Sequence, residues 1–520
     1  MPTRLLALLA SAIPFAYLVE RFRFLTDDGY ITFRYARNLA EGNGLVYNIG
    51  VEPPVEGYSE FLWALLLALG IRLGVEPETF SQVLSISAGA LMVVLIADLV
   101  ARWFHHRPVT MVATALIVGT APPLGVWATG GMATMPAAAL AVVTFWLLER
   151  QVRRARIPEF AERSSAGAAL ALGLAAALLA LMRSDAALLV ALLLGPALLT
   201  GLIQRQRLVW KPALVATAIS AAAFFAHVAW RFSVYGDWLP NTARVKLGFT
   251  PRALERGLDY VLSSACSMPG LGIAFIGGLL GAALSVKRLG LAVAATLAAV
   301  VIGVTAYAIT AGGDFMAFAR FLVPAIPFAA LGFGGLLAAL ESRSKVLAGA
   351  LAAATIATSL VGAFGVQLVP EETRSQFEFR HNQTLKRVEK AETELAQWEN
   401  MKTRAEDWAV AGRALRDHVQ PGESLVAGAI GALGYYSGLF IYDRNGLVTR
   451  EVAMRKPNKD LRSPGHDKVV PRNFFFKYRP TYINAGICEE ANWPPTRGSI
   501  KLGPTERPGT VVWLVRGAKH

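Results

Sequence analysis

The sequence predicts a polytopic α-helical membrane protein of about eleven transmembrane helices, with an extracytoplasmic α/β domain at its C-terminal end. Three observations lead there: the apolar content of the chain, its concentration in bilayer-length stretches, and an abrupt change of composition at Pro370. Of 520 residues 54% are hydrophobic and 17% charged, with a mean hydropathy of +0.43, which is more apolar than a soluble globular chain. Windows such as 80–101, 109–126, 166–182, 186–203, 290–310 and 345–366 carry almost no charge. About 20 helical residues cross ~30 Å of hydrocarbon, and a soluble core needs no such run.

The net charge of +14 raises the question of nucleic acid, and the position of the charges answers against it. They sit in short loops: Arg102 to Arg107, Arg150 to Arg163, Arg205 to Lys211, Lys287 to Arg288, and Arg343 to Lys345. Placing these in the cytoplasm satisfies the positive-inside rule. The spans are then 3–20, 80–101, 109–126, 131–148, 166–182, 186–203, 212–230, 269–286, 290–310, 321–340 and 345–366. The first reads as uncleaved, because no small-residue cleavage site follows it. An odd number of spans puts the C-terminal domain outside. Residues 61–74 are apolar but short, and counting them as a span would export the Arg-rich loop after 148, so they read as a juxtamembrane or re-entrant helix. The expected division is a transmembrane module, 1–369, with its first outer loop at 21–79, and a soluble unit, 370–520.

From Glu371 to about His418 the Glu, Lys and Arg spacing suits exposed helices. Beyond it, short apolar runs (SLVAGAI, LFIYD, YRPTYINAG, GTVVWLVRG) alternate with Gly-rich and polar stretches, as in a small α/β unit. Cys266 and Cys488 form no metal-thiolate spacing, and a single bridge between them stays open. No GxGxxG, P-loop, HExxH or GxSxG stands at a usable position, so nucleotide-driven chemistry is not indicated.

The residues able to carry chemistry gather in the outer connections. Asp27 and Asp28 follow the first span directly. Two adjacent carboxylates beside apolar surroundings disfavour each other's charge, which suits a general base or a ligand of a divalent cation, Mg or Mn. The alternative is that one caps the following helix while the other faces water. In GGDFMAFAR, Asp314 and Arg320 bracket a turn whose glycines admit close backbone approach; the same two residues also suit an ion pair tying two helices. Arg183 and Asp185 form a similar pair for which the structural reading is preferred. The stretch YGDWLPNTARVKLG sets Asp237, Asn241, Thr242, Arg244 and Lys246 beside Tyr235 and Trp238, a mixture suited to a lipid phosphate with a sugar stacked nearby and equally to an interfacial aromatic belt with snorkelling cations. In PGHDK, His466 is either a solvated turn residue or a substrate contact.

Taken in order, DDGYITFRYARNLAEGNGLVYN with VEGYSEFLW, YGDWLPNTARVKLG, GGDFMAFARFLVP, GALGYYSG and PGHDK resemble the GT-C superfamily of membrane glycosyltransferases, and within it the polyprenyl-phosphate-dependent arabinofuranosyltransferases of the mycobacterial cell wall, the terminal β-1,2 type in particular. The resemblance covers nearly the whole chain. It implies a multi-pass protein of the bacterial inner (plasma) membrane, with its site and soluble domain facing the periplasm or outside. Its partners would be the bilayer, a polyprenyl-phosphate sugar donor and a glycan acceptor, with no nucleic acid. The implied reaction moves arabinofuranose from decaprenyl-phosphate-arabinose, with inversion, onto a cell-envelope glycan such as arabinogalactan or lipoarabinomannan. Asp27 or Asp28 would be the base, and Lys246, Arg320 and Arg34, in that order, would hold the departing phosphate. Asn241 and His466 would orient donor or acceptor, with Thr242, Asp314 and Tyr235 at the same site. Relatives commonly carry Gly-Leu-Glu-Thr where this chain has Gly131-Met132-Ala133-Thr134, a departure that bears on metal dependence and substrate. Two alternatives are a transferase of another polyprenyl-linked sugar such as mannose, and a non-catalytic transporter or flippase. The latter suits repeated halves and midplane charges, which this sequence does not show.

Overall fold

The computed structural model describes residues 2–156, 166–246, 250–380, 391–457, 465–493 and 499–517. Each of the expected apolar segments is helical. Among the described residues seven helices are by themselves long and apolar enough to cross a bilayer: Thr3–Arg21, Pro77–Phe104, Ala186–Ile203, Arg207–Tyr235, Leu291–Thr310, Arg320–Glu341 and Lys345–Ala363. The other expected spans depart from a single straight helix for reasons written in their residues. The segment 109–126 is broken into Pro108–Gly119 and Pro122–Trp127, because Pro122 and Pro123 have no N–H for the ladder and push the preceding residue out of helical geometry. The segment 269–286 is the helix Pro269–Leu284, which follows Pro251–Ser267 at a 109° bend. Residues Thr134–Ala155 run past the expected 148 into an arginine-rich last turn. The short segment near 61–74 is the helix Phe61–Arg72.

Helix contacts rely on missing side chains. Between Pro269–Leu284 and Ile326–Glu341, a Cβ on Gly281 would lie 2.0 Å from the Gly332 carbonyl oxygen, and one on Gly278 2.5 Å from that of Ala329. Backbones this close gain dispersion where hydrocarbon supplies no hydrophobic drive between helices. Large apolar side chains on the outer surfaces stay exposed, among them Ile276 at 68% and Phe225 at 66%, as a lipid-facing surface requires.

The C-terminal part contains the helix Glu394–Arg416, whose Thr393 cap hydroxyl accepts from the Ala396 N–H, and five strands: β1 (Ser424–Ala427), β2 (Phe440–Asp443), β3 (Tyr482–Glu489), β4 (Ser499–Pro504) and β5 (Thr510–Arg516). Their order is β2-β1-β3-β5-β4, with β1 parallel to β2 and β3 and the other pairs antiparallel. Cys266 and Cys488 are free thiols.

This part is not a freestanding lobe. One apolar core joins Phe22, Phe24 and Phe318 to Phe379, Trp398 and Tyr435, and another joins Ile31, Tyr35 and Tyr47 to Leu425, Leu433 and Ile441. The Tyr47 hydroxyl donates to the Ile430 carbonyl. Arg34 donates through Nε to the Tyr47 carbonyl and through its two Nη atoms to those of Gly434 and Leu439, each at 2.8 Å. The first outer loop and the C-terminal sheet therefore hold each other.

A direct test of the glycine packing is Gly281→Leu, expected to lower stability by about 1–3 kcal/mol through overpacking. The control is Gly195→Leu, where an added Cβ meets nothing within 4 Å. Thermal unfolding of both in detergent should show a loss for the first only.

Candidate active site

The helix Asp27–Ala40 opens with both acids in its first turn, where the positive end of the helix dipole favours negative charge. Successive helical residues point about 100° apart, so the pair cannot share a face, and the structure sends them in different directions. Asp28 lines a cavity of about 430 Å³; Asp27 does not.

Asp27 is corrected as a candidate base. Its Oδ2 accepts from the Gly431 N–H at 3.1 Å and its Oδ1 from the Ala432 N–H at 2.8 Å, so it caps the helix Ala432–Ser437 of the C-terminal part. The expected cap on the helix that follows is not formed: Asp27 stands inside the first turn of that helix, which has no side-chain cap, and its carboxylate serves a helix about 400 positions further along the chain. Gly431 is required there, because a Cβ would lie 1.8 Å from the Asp27 carbonyl oxygen. Burial, and next among the raising influences the charge of Asp28, lift the Asp27 carboxyl to about 6 despite the two backbone donors.

The cavity draws Asp28 and Thr32 from this helix, Tyr58 and Glu60 from the first outer loop, Arg183 and Asp185 from a turn, Thr242 and Trp238 from the following outer loop, and Tyr307 and Arg320 from two further segments. Arg183 grips Asp185 with two donors, Nε to Oδ1 at 2.9 Å and Nη2 to Oδ2 at 2.8 Å, and reaches Glu60 Oε1 at 3.4 Å. The Tyr307 hydroxyl donates to Asp185 at 3.0 Å. Burial pushes the Asp185 carboxyl up, but the guanidinium outweighs it and holds the group at about 2. At Glu60 burial wins instead and raises the carboxyl above its ordinary range. Its Oε1 accepts from the Ala133 N–H at 3.1 Å, while its Oε2 is buried without a partner among the described residues. Arg320 pairs through Nε with Asp314 and places Nη1 3.3 Å from the Met132 sulfur. Arg231, also on the wall, holds Glu56 with two donors.

Against this inventory Asp28 stands apart. Among the described residues it has no hydrogen bond or ion pair, while its charge acts on Arg320 from within the same cavity.

The remaining expected residues divide. Thr242 and Arg320 share the cavity with Asp28. Asp314 serves as the counter-ion of Arg320. Asn241 is a structural tie, its Nδ2 donating to the carbonyls of Gly446 and Leu447. Tyr235 donates to the Leu45 carbonyl at 2.7 Å and does not line the cavity. Arg34 is corrected as a phosphate ligand, since all three of its nitrogens are engaged by backbone carbonyls. His466 lies edge-on to Phe315, ring centroids 5.1 Å apart, away from the cavity wall. Lys246 ends the helix Asn241–Lys246, and its side chain lies outside the described residues, as does Pro464 of the PGHDK turn. The sequence reading passed over Glu60, Tyr58, Glu56 and Arg231. VEGYSEFLW had marked the first three as part of a motif, but nothing in a single sequence pairs Glu56 with Arg231 across 175 positions.

Among the described residues no three His, Cys, Asp or Glu side chains gather as a metal site. Of the cavity's carboxylates, Asp185 and Glu60 are already turned toward Arg183, so the described residues do not fit a site for Mg or Mn.

The fold aligns with ArnT from Cupriavidus metallidurans, in a crystal structure bound to undecaprenyl phosphate, at a TM-score of 0.55 and 15% identity over 98% of this chain and 97% of that one. It also aligns with the archaeal oligosaccharyltransferase AglB from Archaeoglobus fulgidus, in complex with an inhibitory peptide and a dolichol-phosphate, at a TM-score of 0.52 and 10% identity over 84% of this chain and 64% of that one. The chain has the GT-C glycosyltransferase fold. Within the GT-C fold the sequence is 29% identical over 252 residues to the terminal beta-(1->2)-arabinofuranosyltransferase of Mycobacterium tuberculosis (strain ATCC 25618 / H37Rv), a match spanning 46% of this chain and 38% of that protein. A family model described as a domain of unknown function (DUF8728) matches residues 393–511, in the C-terminal part of this chain.

The Asp27 cap has a pH signature. Its native carboxyl titrates near 6 against an ordinary 3.8, so between those values the native state holds the proton more tightly than the unfolded state. That contribution to stability is full below about pH 4 and is lost as pH rises through 6. Unfolding midpoints of the wild type should carry this decline across pH 4–6, and those of Asp27→Asn should lack it.

Proposed function

We propose that this protein is a membrane glycosyltransferase that moves a sugar, arabinofuranose from decaprenyl-phosphate-arabinose, onto a cell-envelope glycan acceptor with inversion. The observation that carries the reading is an unpartnered carboxylate, Asp28, sharing one cavity with Arg320 and Arg183. The cavity also has an apolar flank: Phe224, Phe225, Trp238 and Leu239 line it, and the last three are among the exposed large apolar side chains. A polyprenyl chain lying in the bilayer fits such a flank, with its phosphate at the cations and its sugar toward Asp28.

In the proposed step Asp28 accepts the proton of the acceptor hydroxyl as that oxygen bonds to the anomeric carbon. The bond from the anomeric carbon to the phosphate oxygen breaks, and its electron pair leaves with the phosphate. Arg320, with Arg183 beside it and Lys246 as a third cation, stabilises the charge that grows there. Attack from the face opposite the leaving group inverts the centre. Arabinofuranose as the sugar rests on the likeness to the mycobacterial arabinofuranosyltransferase. A polyprenyl phosphate as the carrier draws support from the undecaprenyl phosphate and dolichol-phosphate bound in the two structural neighbours. The outward-facing site and the inner-membrane location rest on the basic loops collecting at the other end of the helices.

The test is transfer from labelled decaprenyl-phosphate-arabinofuranose to an oligoarabinoside by the purified full chain, with and without Mg or Mn. Product is expected, with Asp28→Asn at least ~100-fold slower, the scale of a lost general base, while donor binding persists. Arg320→Lys should weaken transfer by more than its effect on donor affinity. Wild-type activity in Asp28→Asn overturns the mechanism, and absence of product with every donor and acceptor overturns the function.

A further inference from the structure

A second concave site lies at the opposite end of the same helices. Helix Pro77–Phe104 starts where Glu78 Oε1 accepts from the Tyr436 hydroxyl of the C-terminal part and ends with Trp103 and Phe104 in the wall of a separate cavity of about 330 Å³. Helix Thr134–Ala155 starts beside Ala133, which is bonded to Glu60, and ends with Arg153 in that wall. Helix Leu291–Thr310 carries Tyr307 at the first cavity and Val293 at the second. At 1.5 Å per residue, 22 to 28 residues separate the two by about 33 to 42 Å, roughly a bilayer with its headgroups.

Five arginines, Arg102, Arg107, Arg153, Arg156 and Arg288, line this cavity against one carboxylate, Glu149. Glu149 is already committed to Arg102 Nη1 at 2.6 Å and the Trp103 indole N–H at 3.1 Å. The other four arginines form no ion pair among the described residues: Arg107 donates to the Ala338 carbonyl, Arg156 to those of Arg288 and Lys287, and Arg288 lies 4.3 Å over the Phe104 ring. Arg102 also pairs through Nε with Asp98 at 2.9 Å, and its Nη2 is buried with no partner among the described residues. Like charges crowded at a concave site repel unless an anion joins them, and the exposed Arg153, Arg156 and Arg288 leave this one open to an anion from outside.

The rim decides which anion. Half-buried Leu289 lines the same cavity and Leu291, two residues on, is exposed, so apolar surface lies next to the guanidiniums where the helix Leu291–Thr310 begins. We propose that this cavity binds the headgroup of an anionic phospholipid in the leaflet opposite the Asp28 site, its phosphate among Arg153, Arg156 and Arg288 and its acyl chains along Leu289 and Leu291. Basic pockets between transmembrane helices recognise lipids by this combination of charge and adjoining apolar surface, and planar guanidiniums suit phosphate oxygens.

The test uses the full chain in a neutral detergent, with bound lipid counted by native mass spectrometry and affinity taken from thermal shift. Short-chain phosphatidylglycerol is expected to bind saturably, phosphatidylcholine of the same chain length not to, and inorganic phosphate to give no shift at matched concentration. Arg153→Gln with Arg288→Gln should weaken phosphatidylglycerol at least about tenfold, while Arg207→Gln with Lys211→Gln, in another basic loop of that face, should not. If the first pair fails to fold, Arg153→Gln alone, at an exposed position, should show a weakening of about three- to fivefold. Equal binding of phosphatidylcholine, equal loss in the control pair, unchanged affinity in the Arg153 and Arg288 variants, or full occupancy by inorganic phosphate would each overturn the lipid site.

Discussion

An ion held beside hydrocarbon is costly unless another charge or a set of dipoles answers it, and the Asp28 cavity of this protein is organised around that constraint. Arg183 is answered by Asp185 and Glu60, Arg231 by Glu56, and Arg320 by Asp314. Each pair is drawn from segments that the sequence keeps apart or that a turn separates, so each also fastens one helix end to another. Asp28 is left over, with no partner among the described residues and in reach of Arg320's field. In the proposed reaction that open carboxylate takes the proton, and Arg320 meets the developing anion.

The C-terminal part is a component of this arrangement. Asp27 caps its helix Ala432–Ser437, Arg34 holds its backbone, and Asn241 ties the outer loop carrying Thr242 to its Gly446–Leu447 turn. Glu394, at the head of its long helix, accepts from the Phe318 N–H and from Arg380, bracing the left-handed Phe318–Ala319 backbone that precedes Arg320. The geometry of the cavity therefore depends on docking that buries apolar surface across the 369/370 boundary, and a shift of the sheet would move the cavity wall with it.

Much of the fold was legible because bilayer solvation imposes a rule that individual residues obey: an apolar run of about 20 residues must be helical to satisfy its own backbone. All eleven expected segments are helical, but among the described residues only seven are single helices long and apolar enough to cross a bilayer, and the break at Pro122–Pro123 marks where local chemistry overrode length. Candidate residues were legible less evenly. Asp27 and Asp28 were equivalent on paper, and a rotation of about 100° between neighbours made one a cap and the other a cavity residue. Arg34 had the charge of a phosphate ligand, but three backbone carbonyls from both parts of the chain converge on it. Arg183 was legible as a partner of Asp185, but its second partner, Glu60, became visible only when the fold placed them on one wall.

The sequence alone determined which stretches are helical and apolar enough for lipid, which loops carry the positive charge, and that acids and cations collect in the connections around Asp28, Arg183, Thr242 and Asp314, because these follow from local composition and helix period. Only the tertiary structure decided which of those charges neutralise one another and which remains open. Pairing is a matter of distance across segments as far apart as Glu56 and Arg231, or Asp27 and Ala432, and no local property of a residue encodes the identity of a neighbour hundreds of positions away.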